Sequence, residues 1–356
     1  MKRLLFPVLF FVLGTVIVPA ETVIRVNEMG YYPVSVKIAM LLSDEQQDVK
    51  TFQLVNLDTG AVVFEGVPEA VADASVWGKQ AVRRLRFTSV EKSGKYVIRA
   101  AGVESPVVLI GNDAHKDLKN WHKAIQDRYG VVVRFNPEHK TVYLIFTAHS
   151  DLYDGKHVIA DTLKAEQVPG SFFFTGAFFA DPQHRDWIRR LIDEGHYLGA
   201  HSDQHLLYAD WNDRSKTLVT RQECLDDLKA NFEKMLPFGL TRTANRIYVP
   251  PYEYYNDDSV FWCEEFGLRN INFTPRSVTF FDFTTPEMRN YKSSETIFNE
   301  LKAFEASEAN GLNGAILLIH VGTSPDRKDK FYNDLPEVIR WMKQKGYSFG
   351  RVDEPL

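Results

Sequence analysis

The chain has 356 residues, of which 44% are hydrophobic and 25% charged, as in ordinary soluble globular proteins. This composition excludes a disordered, collagen-like or multi-span membrane protein, and the net charge of −5 argues against a nucleic-acid-binding surface. At roughly 100–200 residues per domain, the length predicts two or three domains.

The first segment of the chain is typical of an export signal. Lys2 and Arg3 give a short positive start, an apolar run extends from Leu4 to Val18, and the small residue Ala20 ends the segment. We therefore predict that residues 1–20 are a signal peptide and that the protein is exported, to a periplasm or the extracellular space. No later stretch contains the roughly 18 apolar residues that a membrane span needs, so none is expected after cleavage.

Cysteine use adds little to this prediction. The chain has two cysteines, Cys224 and Cys263, too few for a disulfide framework. Their spacing leaves open whether they pair or remain two buried thiols.

Residues 21–112 are typical of β structure. Short apolar or alternating stretches are separated by turn residues about every ten positions, which predicts a β-sandwich. The segments from Ile24 to Pro33 and from Ser105 to Gly111, with the strand that begins at Lys37, resemble the immunoglobulin-like module found N-terminal in many secreted glycoside hydrolases. The resemblance implies a support or docking module beside a carbohydrate-active domain.

The pattern changes in the second half of the chain. Residues 113–137 are charged and mixed, which predicts a helical linker with a helix from Asp117 to Tyr129. From residue 138 to residue 356, buried-strand patterns such as Val142 to Phe146 alternate with helical ones, which predicts a parallel α/β sheet or barrel. In such folds the functional residues lie at the carboxyl ends of the strands.

Three groups of residues follow predicted strands at such positions. His201 and His205 are four residues apart, so both imidazoles can reach one cation, although a pair of structural histidines has the same spacing. His320 follows another strand, and its usual pKa of about 6.5 suits proton transfer. Pro250 and Pro251 fix a loop whose next backbone N–H can face a developing oxyanion, or form a plain rigid turn.

These groups together resemble the polysaccharide deacetylase (NodB homology) family, carbohydrate esterase family 4. The residues from Ser171 to Gly176 and from Glu194 to His205 resemble its second-strand and histidine motifs, and Pro250-Pro251-Tyr252 and Leu318-Ile319-His320 resemble two later motifs. The resemblance implies a distorted (β/α) barrel, one divalent metal, usually zinc, and removal of N- or O-linked acetyl groups from a polysaccharide by attack of metal-bound water.

The resemblance also assigns roles to individual residues. It makes His201 and His205 metal ligands, the backbone N–H of Tyr252 part of an oxyanion hole, and His320 the general acid that protonates the leaving amine. The family's first motif, Thr-Phe-Asp-Asp-Gly, is altered, because Thr147 and Ala148 follow the phenylalanine where the family has its base and its third ligand.

A second departure accompanies the first. Val249 stands where the family has an arginine that pairs with the base. The two losses belong together, because an arginine left without its aspartate would be a costly buried cation.

Substitutes for the lost aspartates lie just beyond the strand. His149 is the predicted third metal ligand and Asp154 the predicted acid/base group, although Asp151 is a second candidate base, and Asp154 is also a candidate ligand. All three also fit an ordinary loop. Asp282, in an aromatic segment, is a candidate to orient His320, although its placement can equally be accidental.

Two hypotheses of function follow. The first is a secreted, metal-dependent hydrolase that removes acetyl groups from a poly- or oligosaccharide. The second is a carbohydrate-binding protein on a deacetylase scaffold that has lost catalysis, as the missing aspartates suggest. Aromatic residues near the motifs would serve either function because rings stack on sugar faces; they are Trp211, Tyr252, Tyr254 and Tyr255.

Overall fold

A computed structural model describes residues 21–27, 30–111, 121, 123–149 and 151–353. The predicted signal peptide, residues 1–20, lies outside the described residues. In chain order, the strands of the first domain are β1 (Thr22–Arg25), β2 (Ile38–Ser43), β3 (Phe52–Asn56), β4 (Val62–Gly66), β5 (Glu69–Ala70), β6 (Ala81–Arg86), β7 (Gly94–Ala100), β8 (Val103–Glu104) and β9 (Val108–Ile110).

These strands form two antiparallel sheets. One has the order β1-β2-β6-β5, and the other has the order β4-β3-β7-β8 with β9 also on β7. Alternate residues such as Leu41, Leu54 and Ile98 meet in one core between the sheets. The predicted β-sandwich is confirmed.

The sandwich packs directly on the second domain. Trp77, in the short 3-10 helix Ser75–Trp77, contacts Phe261 and Trp262 with ring centroids 5.5 and 5.2 Å apart. Nη2 of Arg84 also lies 2.9 Å from a carboxylate oxygen of the buried Asp258. The two domains therefore share an apolar core that contains an ion pair.

The connection between the domains corrects one prediction. Where the helix from Asp117 to Tyr129 was expected, the described residues form a hairpin of β10 (Ile125–Gln126) and β11 (Val132–Arg134). The carboxylate of Asp127 accepts the N–H groups of Tyr129 and Val131 and so closes the turn. The β-branched run at 131–133 favours a strand, so the predicted helical linker over 113–137 is wrong for this stretch.

The second domain alternates strands and helices. Its strands are β12 (Thr141–Ala148), β13 (Ser171–Phe174), β14 (Tyr197–Ala200), β15 (Ile247–Tyr248), β16 (Arg269–Asn270), β17 (Ile316–His320) and β18 (Ser348–Phe349). Its helices are α1 (Lys156–Glu166), α2 (Gly176–Ala180), α3 (Arg185–Asp193), α4 (Arg221–Met235), α5 (Asp257–Glu265), α6 (Ser294–Ser307) and α7 (Leu335–Gln344).

The strands pair in parallel in the order β16-β15-β14-β13-β12-β17, and β18 pairs with the start of β12. Along β12, Val142, Leu144 and Phe146 pack toward the helices, whereas Tyr143 and Ile145 face the interior of the curved sheet. The fold is a half-barrel of parallel strands, as predicted.

Local sequence signals explain the helix ends near the site. Thr220 and Glu223 form a capping box at the start of α4. Asn256 caps α5 immediately after the Pro250-Pro251 loop. No helix among the described residues is long and apolar enough to cross a bilayer.

Candidate active site

Strand alternation places three histidines on one side of the sheet's carboxyl edge. Odd-numbered residues of β12 and β14 and even-numbered residues of β17 face the interior. Continued to the strand ends, this alternation places His149, His201 and His320 on the interior side. The register agrees, since Thr147 of β12 pairs with His320 of β17.

His201 and His205 point ring nitrogens at the same place. Nδ1 of His201 lies 2.7 Å from the carbonyl oxygen of Val249, which can only accept, so Nδ1 carries the proton and Nε2 presents a lone pair. The Nε2 atoms of the two histidines are 3.2 Å apart. Burial and the neighbouring imidazoles lower the pKa of His201 to about 4 and that of His205 to about 2. Both rings are therefore neutral at pH 7.

Asp227 of α4, which the sequence analysis did not recognise, fixes the backbone segment between His201 and His205. The Asp227 carboxylate accepts the Ser202 hydroxyl at 2.7 Å and the backbone N–H groups of Asp203 and Gln204 at 2.9 and 2.8 Å. The segment needs this support because Ser202 and His205 have positive φ angles of 68° and 56°. The helical spacing of Asp227 on the buried face of α4 was the available signal.

The predicted third ligand, His149, lies beside the pair. Its exposed ring is 5.3 Å from that of His205, centroid to centroid, and nearly perpendicular to it. Its charge influences both His201 and His205. Among the described residues, no three His, Cys, Asp or Glu side chains already stand in a metal-binding arrangement. His149 would therefore have to turn its exposed side chain to complete one.

Asp154, the predicted acid/base group, is engaged elsewhere. Its carboxylate accepts the Thr323 N–H at 3.0 Å and the Tyr332 hydroxyl at 2.8 Å, and it pairs with Lys330 at 2.9 Å. Burial raises the pKa of Asp154, but these donors outweigh burial and hold the pKa below its usual range. The carboxylate thus ties the loop after β12 to the loop after β17. The other candidate, Asp151, is exposed.

His320 and Asp282 form a close pair, as the sequence left open. Nδ1 of His320 is 2.6 Å from one carboxylate oxygen of Asp282, and the backbone N–H of His320 donates to the other at 2.8 Å. Burial alone would lower the pKa of His320, but the charges of Asp282 and Glu253 outweigh burial and raise it. The imidazole is held in a fixed orientation and keeps its proton to a higher pH.

The Pro250-Pro251 loop ends in an unusual backbone. Tyr252 and Glu253 have φ angles of 58° and 53°, in a region that side chains other than glycine rarely adopt. The backbone N–H of Tyr252 meets no acceptor among the described residues. This donor is available to a ligand, as an oxyanion hole requires.

Glu253 is the residue that sequence reasoning missed. Burial raises the pKa of its carboxyl to about 7; the nearby charge of His320 acts to lower the pKa, and that of Asp282 to raise it. The only signal in the sequence was the position of Glu253 directly after Pro250-Pro251-Tyr252.

Aromatic rings continue outward from His205. Tyr252 lies 4.3 Å from His205, Trp211 lies 5.8 Å from Tyr252, and Tyr254 lies 4.4 Å from Trp211, centroid to centroid. Trp211 is 57% exposed and Tyr252 is 46% exposed, whereas Tyr255 is buried. Trp211, Tyr252 and Tyr254 form a strip, here called the aromatic strip, beside the histidines.

Comparisons with known proteins cover both domains. The cellulase N-terminal Ig-like domain family matches residues 20–105, and the polysaccharide deacetylase family matches residues 135–271. An uncharacterised 30.6 kDa protein of Geobacillus stearothermophilus is 28% identical over 239 residues, which cover 66% of this chain and 78% of that protein. Peptidoglycan-N-acetylmuramic acid deacetylase PdaA of Bacillus subtilis is 27% identical over 245 residues, which cover 68% and 80%, respectively.

A solved structure shows the same fold. The structure is that of a BA3943 mutant with restored enzymatic activity; BA3943 is a carbohydrate esterase family 4 pseudoenzyme of Bacillus anthracis. The match has a TM-score of 0.50 and 17% sequence identity, and it covers 74% of this chain and 87% of that chain. The family matches assign the two domains: the half-barrel contains a polysaccharide deacetylase domain of carbohydrate esterase family 4, a family of hydrolases of acetyl amide and ester bonds, and the sandwich is a cellulase-type N-terminal Ig-like domain.

Proposed function

We propose that this protein is an exported, metal-dependent hydrolase that removes N- or O-linked acetyl groups from a poly- or oligosaccharide. One observation carries the proposal: the neutral pair His201–His205, with His149 beside it, shares the sheet's carboxyl edge with the acid pair His320–Asp282. The N-terminal sequence supports export, because residues 1–20 have the pattern of a signal peptide.

The histidines suit a divalent cation, zinc above all. Neutral imidazole is a preferred zinc ligand, and a ligating histidine commonly donates its other N–H to a backbone carbonyl, as His201 does to Val249. His201, His205 and His149 would hold the metal. A cation there would polarise the acetyl carbonyl and lower the pKa of a water molecule.

The chain's own residues supply the rest of the chemistry. The backbone N–H of Tyr252 would stabilise negative charge on the acetyl oxygen as the carbonyl carbon becomes tetrahedral. His320, protonated and oriented by Asp282, would donate its Nε2 proton to the leaving amine or hydroxyl. Asp282 is thus a positioning residue that also keeps His320 charged.

Metal binding tests the proposal. After stripping and reloading with zinc, we expect about one zinc per chain, as in sites with three protein ligands and an open position. The His201→Ala/His205→Ala double variant should bind none, whereas His139→Ala/His157→Ala, which removes two exposed histidines, should match the wild type. Inductively coupled plasma mass spectrometry measures the ratio. A wild type that binds no zinc contradicts metal dependence.

The aromatic strip points to a sugar substrate, since pyranose rings stack on exposed aromatic faces. We expect Trp211→Ala to raise KM on an acetylated oligosaccharide by roughly 2- to 10-fold, the value of one lost aromatic stack. The kcat should stay unchanged, because the ring contributes to substrate and transition-state binding equally. Leu236→Ala, which truncates an exposed side chain elsewhere, is the control. Steady-state acetate release gives both constants, and an unchanged KM excludes Trp211 from the subsite.

A second candidate is a carbohydrate-binding protein without turnover. Thr147 and Ala148 in place of the aspartate pair favour it. Sugar binding by the zinc-loaded protein without acetate release would establish it. Because PdaA is a peptidoglycan-N-acetylmuramic acid deacetylase by name, acetylated peptidoglycan is the first substrate to try.

A further inference from the structure

One carboxyl near the histidines has no assigned role. The Glu253 backbone is fixed, since its N–H donates to the Pro250 carbonyl at 3.0 Å and its own carbonyl accepts Nδ2 of Asn272 at 2.9 Å. Its φ of 53° is costly for a residue with a side chain and is kept by these contacts. The loop therefore holds the Glu253 side chain in one region.

Glu253 directly follows Tyr252, whose ring lies 4.3 Å from that of His205, so the loop brings Glu253 to the same edge of the sheet as the histidines. His320, from the end of β17, and Asp282, from the 3-10 helix Thr279–Phe283, are the groups whose charges act on its carboxyl. The influence is mutual, since Glu253 also acts on His320.

Other carboxylates of the region are already committed. Asp154 is held by Lys330 and Tyr332, and Asp282 by His320. Asp203 is paired with Lys234, and Asp227 holds the backbone at residues 203 and 204; Glu253 has no such hydrogen bond to its carboxyl among the described residues.

We propose that Glu253 is the general base of this enzyme and replaces the carboxylate lost from the end of β12. The inference rests on the proposed function. It accounts for three changes together: no aspartate at Thr147 or Ala148, no arginine at Val249, and a carboxyl on the Tyr252–Glu253 turn. An arginine at 249 has no partner to neutralise once the base has moved.

The proton movements balance. Glu253 takes a proton from the attacking water as the water oxygen bonds to the acetyl carbon and the C=O π pair moves to the carbonyl oxygen. The tetrahedral intermediate then collapses, the C–N bond breaks, and the amine nitrogen takes a proton from His320. Acetic acid and the free amine leave, and the acid passes its proton to the amine in solvent, which gives acetate and an ammonium group. A proton passes from Glu253 to His320, which restores both groups. The carboxyl pKa of about 7 suits a base that must accept and then release a proton near neutral pH.

Glu253→Gln keeps the size of the side chain and removes its basicity. We expect kcat, measured as acetate release, to fall by about 10²- to 10⁴-fold, and we expect the zinc content to stay unchanged. The ascending limb of the pH profile of kcat/KM should disappear. Glu287→Gln, an exposed carboxylate on the loop after Asp282, should behave as the wild type.

A second measurement does not depend on turnover. NMR titration of histidine-labelled protein should show a lower pKa for His320 in Glu253→Gln than in the wild type, because a neighbouring negative charge is lost. An equally active Glu253→Gln, or an unchanged His320 titration, overturns the base role and leaves the proposed function standing. A zinc-loaded wild type without any acetate release overturns the proposed function and the base role with it.

Discussion

Replacing His320 with alanine should lower kcat for deacetylation by about 10²- to 10⁴-fold, the usual contribution of a positioned acid. Asp282 binds both Nδ1 of the ring and the backbone N–H of His320, so the donor is oriented before substrate arrives. An amine is a poor leaving group without a proton, so the collapse of the tetrahedral intermediate should become rate-limiting. The zinc content should remain that of the wild type.

The Asp282→Asn variant tests the same pair through pH. The usual pKa of histidine is about 6.5. In the wild type the pKa of His320 is raised above this value, so the imidazole stays protonated to a higher pH. Without the carboxylate the pKa falls, so the imidazole loses its proton at lower pH. The alkaline limb of the pH–rate profile should therefore move to lower pH.

Two comparisons make these results decisive. His157→Ala removes an exposed histidine of α1 and should leave kcat unchanged. A His320→Ala protein with near wild-type kcat would exclude the acid role, and an alkaline limb unmoved in Asp282→Asn would assign that limb to another group.

The sequence predicted the fold because its signals are local. The alternation in residues 21–112 and the buried runs such as Val142 to Phe146 fix strand type residue by residue. The segment at 125–134 was predicted wrongly because its charged residues suggest a surface helix. The conformation of this segment is set instead by the turn at Asp127 and by the pairing of the hairpin with the half-barrel. The pairing partner of Arg134 is Ala315, which is far away in the sequence.

His201 and His320 could be predicted as site residues because each lies at the carboxyl end of a strand. His201 and His320 follow apolar runs, and parallel strands bring their ends together. The partners of these histidines could not be predicted in the same way. Asp282 and Asp227 meet the motif residues only through loop and helix packing, over separations of 38 and 25 residues.

The two acidic residues, Asp154 and Glu253, show why composition near a motif is a weak guide to chemistry. Asp154 lies in the expected loop, yet its carboxylate is already bound by a lysine ammonium group and a tyrosine hydroxyl from after β17. Glu253 lies outside the altered first motif, yet burial beside His320 gives it the pKa of a base. Desolvation and partner identity, which depend on the fold, decide both cases.

The Ig-like domain supports the site through α5. That helix begins at Asp257, four residues after Glu253, and its other face carries Phe261 and Trp262 against Trp77 of the sandwich. The loop that presents Tyr252 and Glu253 is therefore anchored by a helix clamped between two domains.

Truncating Trp77 at the contact between the domains should destabilise the protein. Trp77 is 5% exposed, and its replacement by alanine should lower the free energy of unfolding by about 3–5 kcal/mol, as for other buried aromatic residues. Lost apolar burial and the cavity left against Phe261 and Trp262 both contribute. Urea unfolding followed by circular dichroism measures the change. Val67→Ala, which truncates a 73% exposed residue of the same domain, should stay within about 0.5 kcal/mol.

The Trp77→Ala variant also tests whether the sandwich and the half-barrel unfold as one cooperative unit. If the domains unfold as one unit, Trp77→Ala shifts a single transition to lower urea, because the interface core is common to both. If the sandwich only rests on the half-barrel, the variant splits the curve into two transitions and the half-barrel transition stays in place. The buried Arg84–Asp258 pair, which would lose its shielding beside Trp77, makes the single transition the expected result.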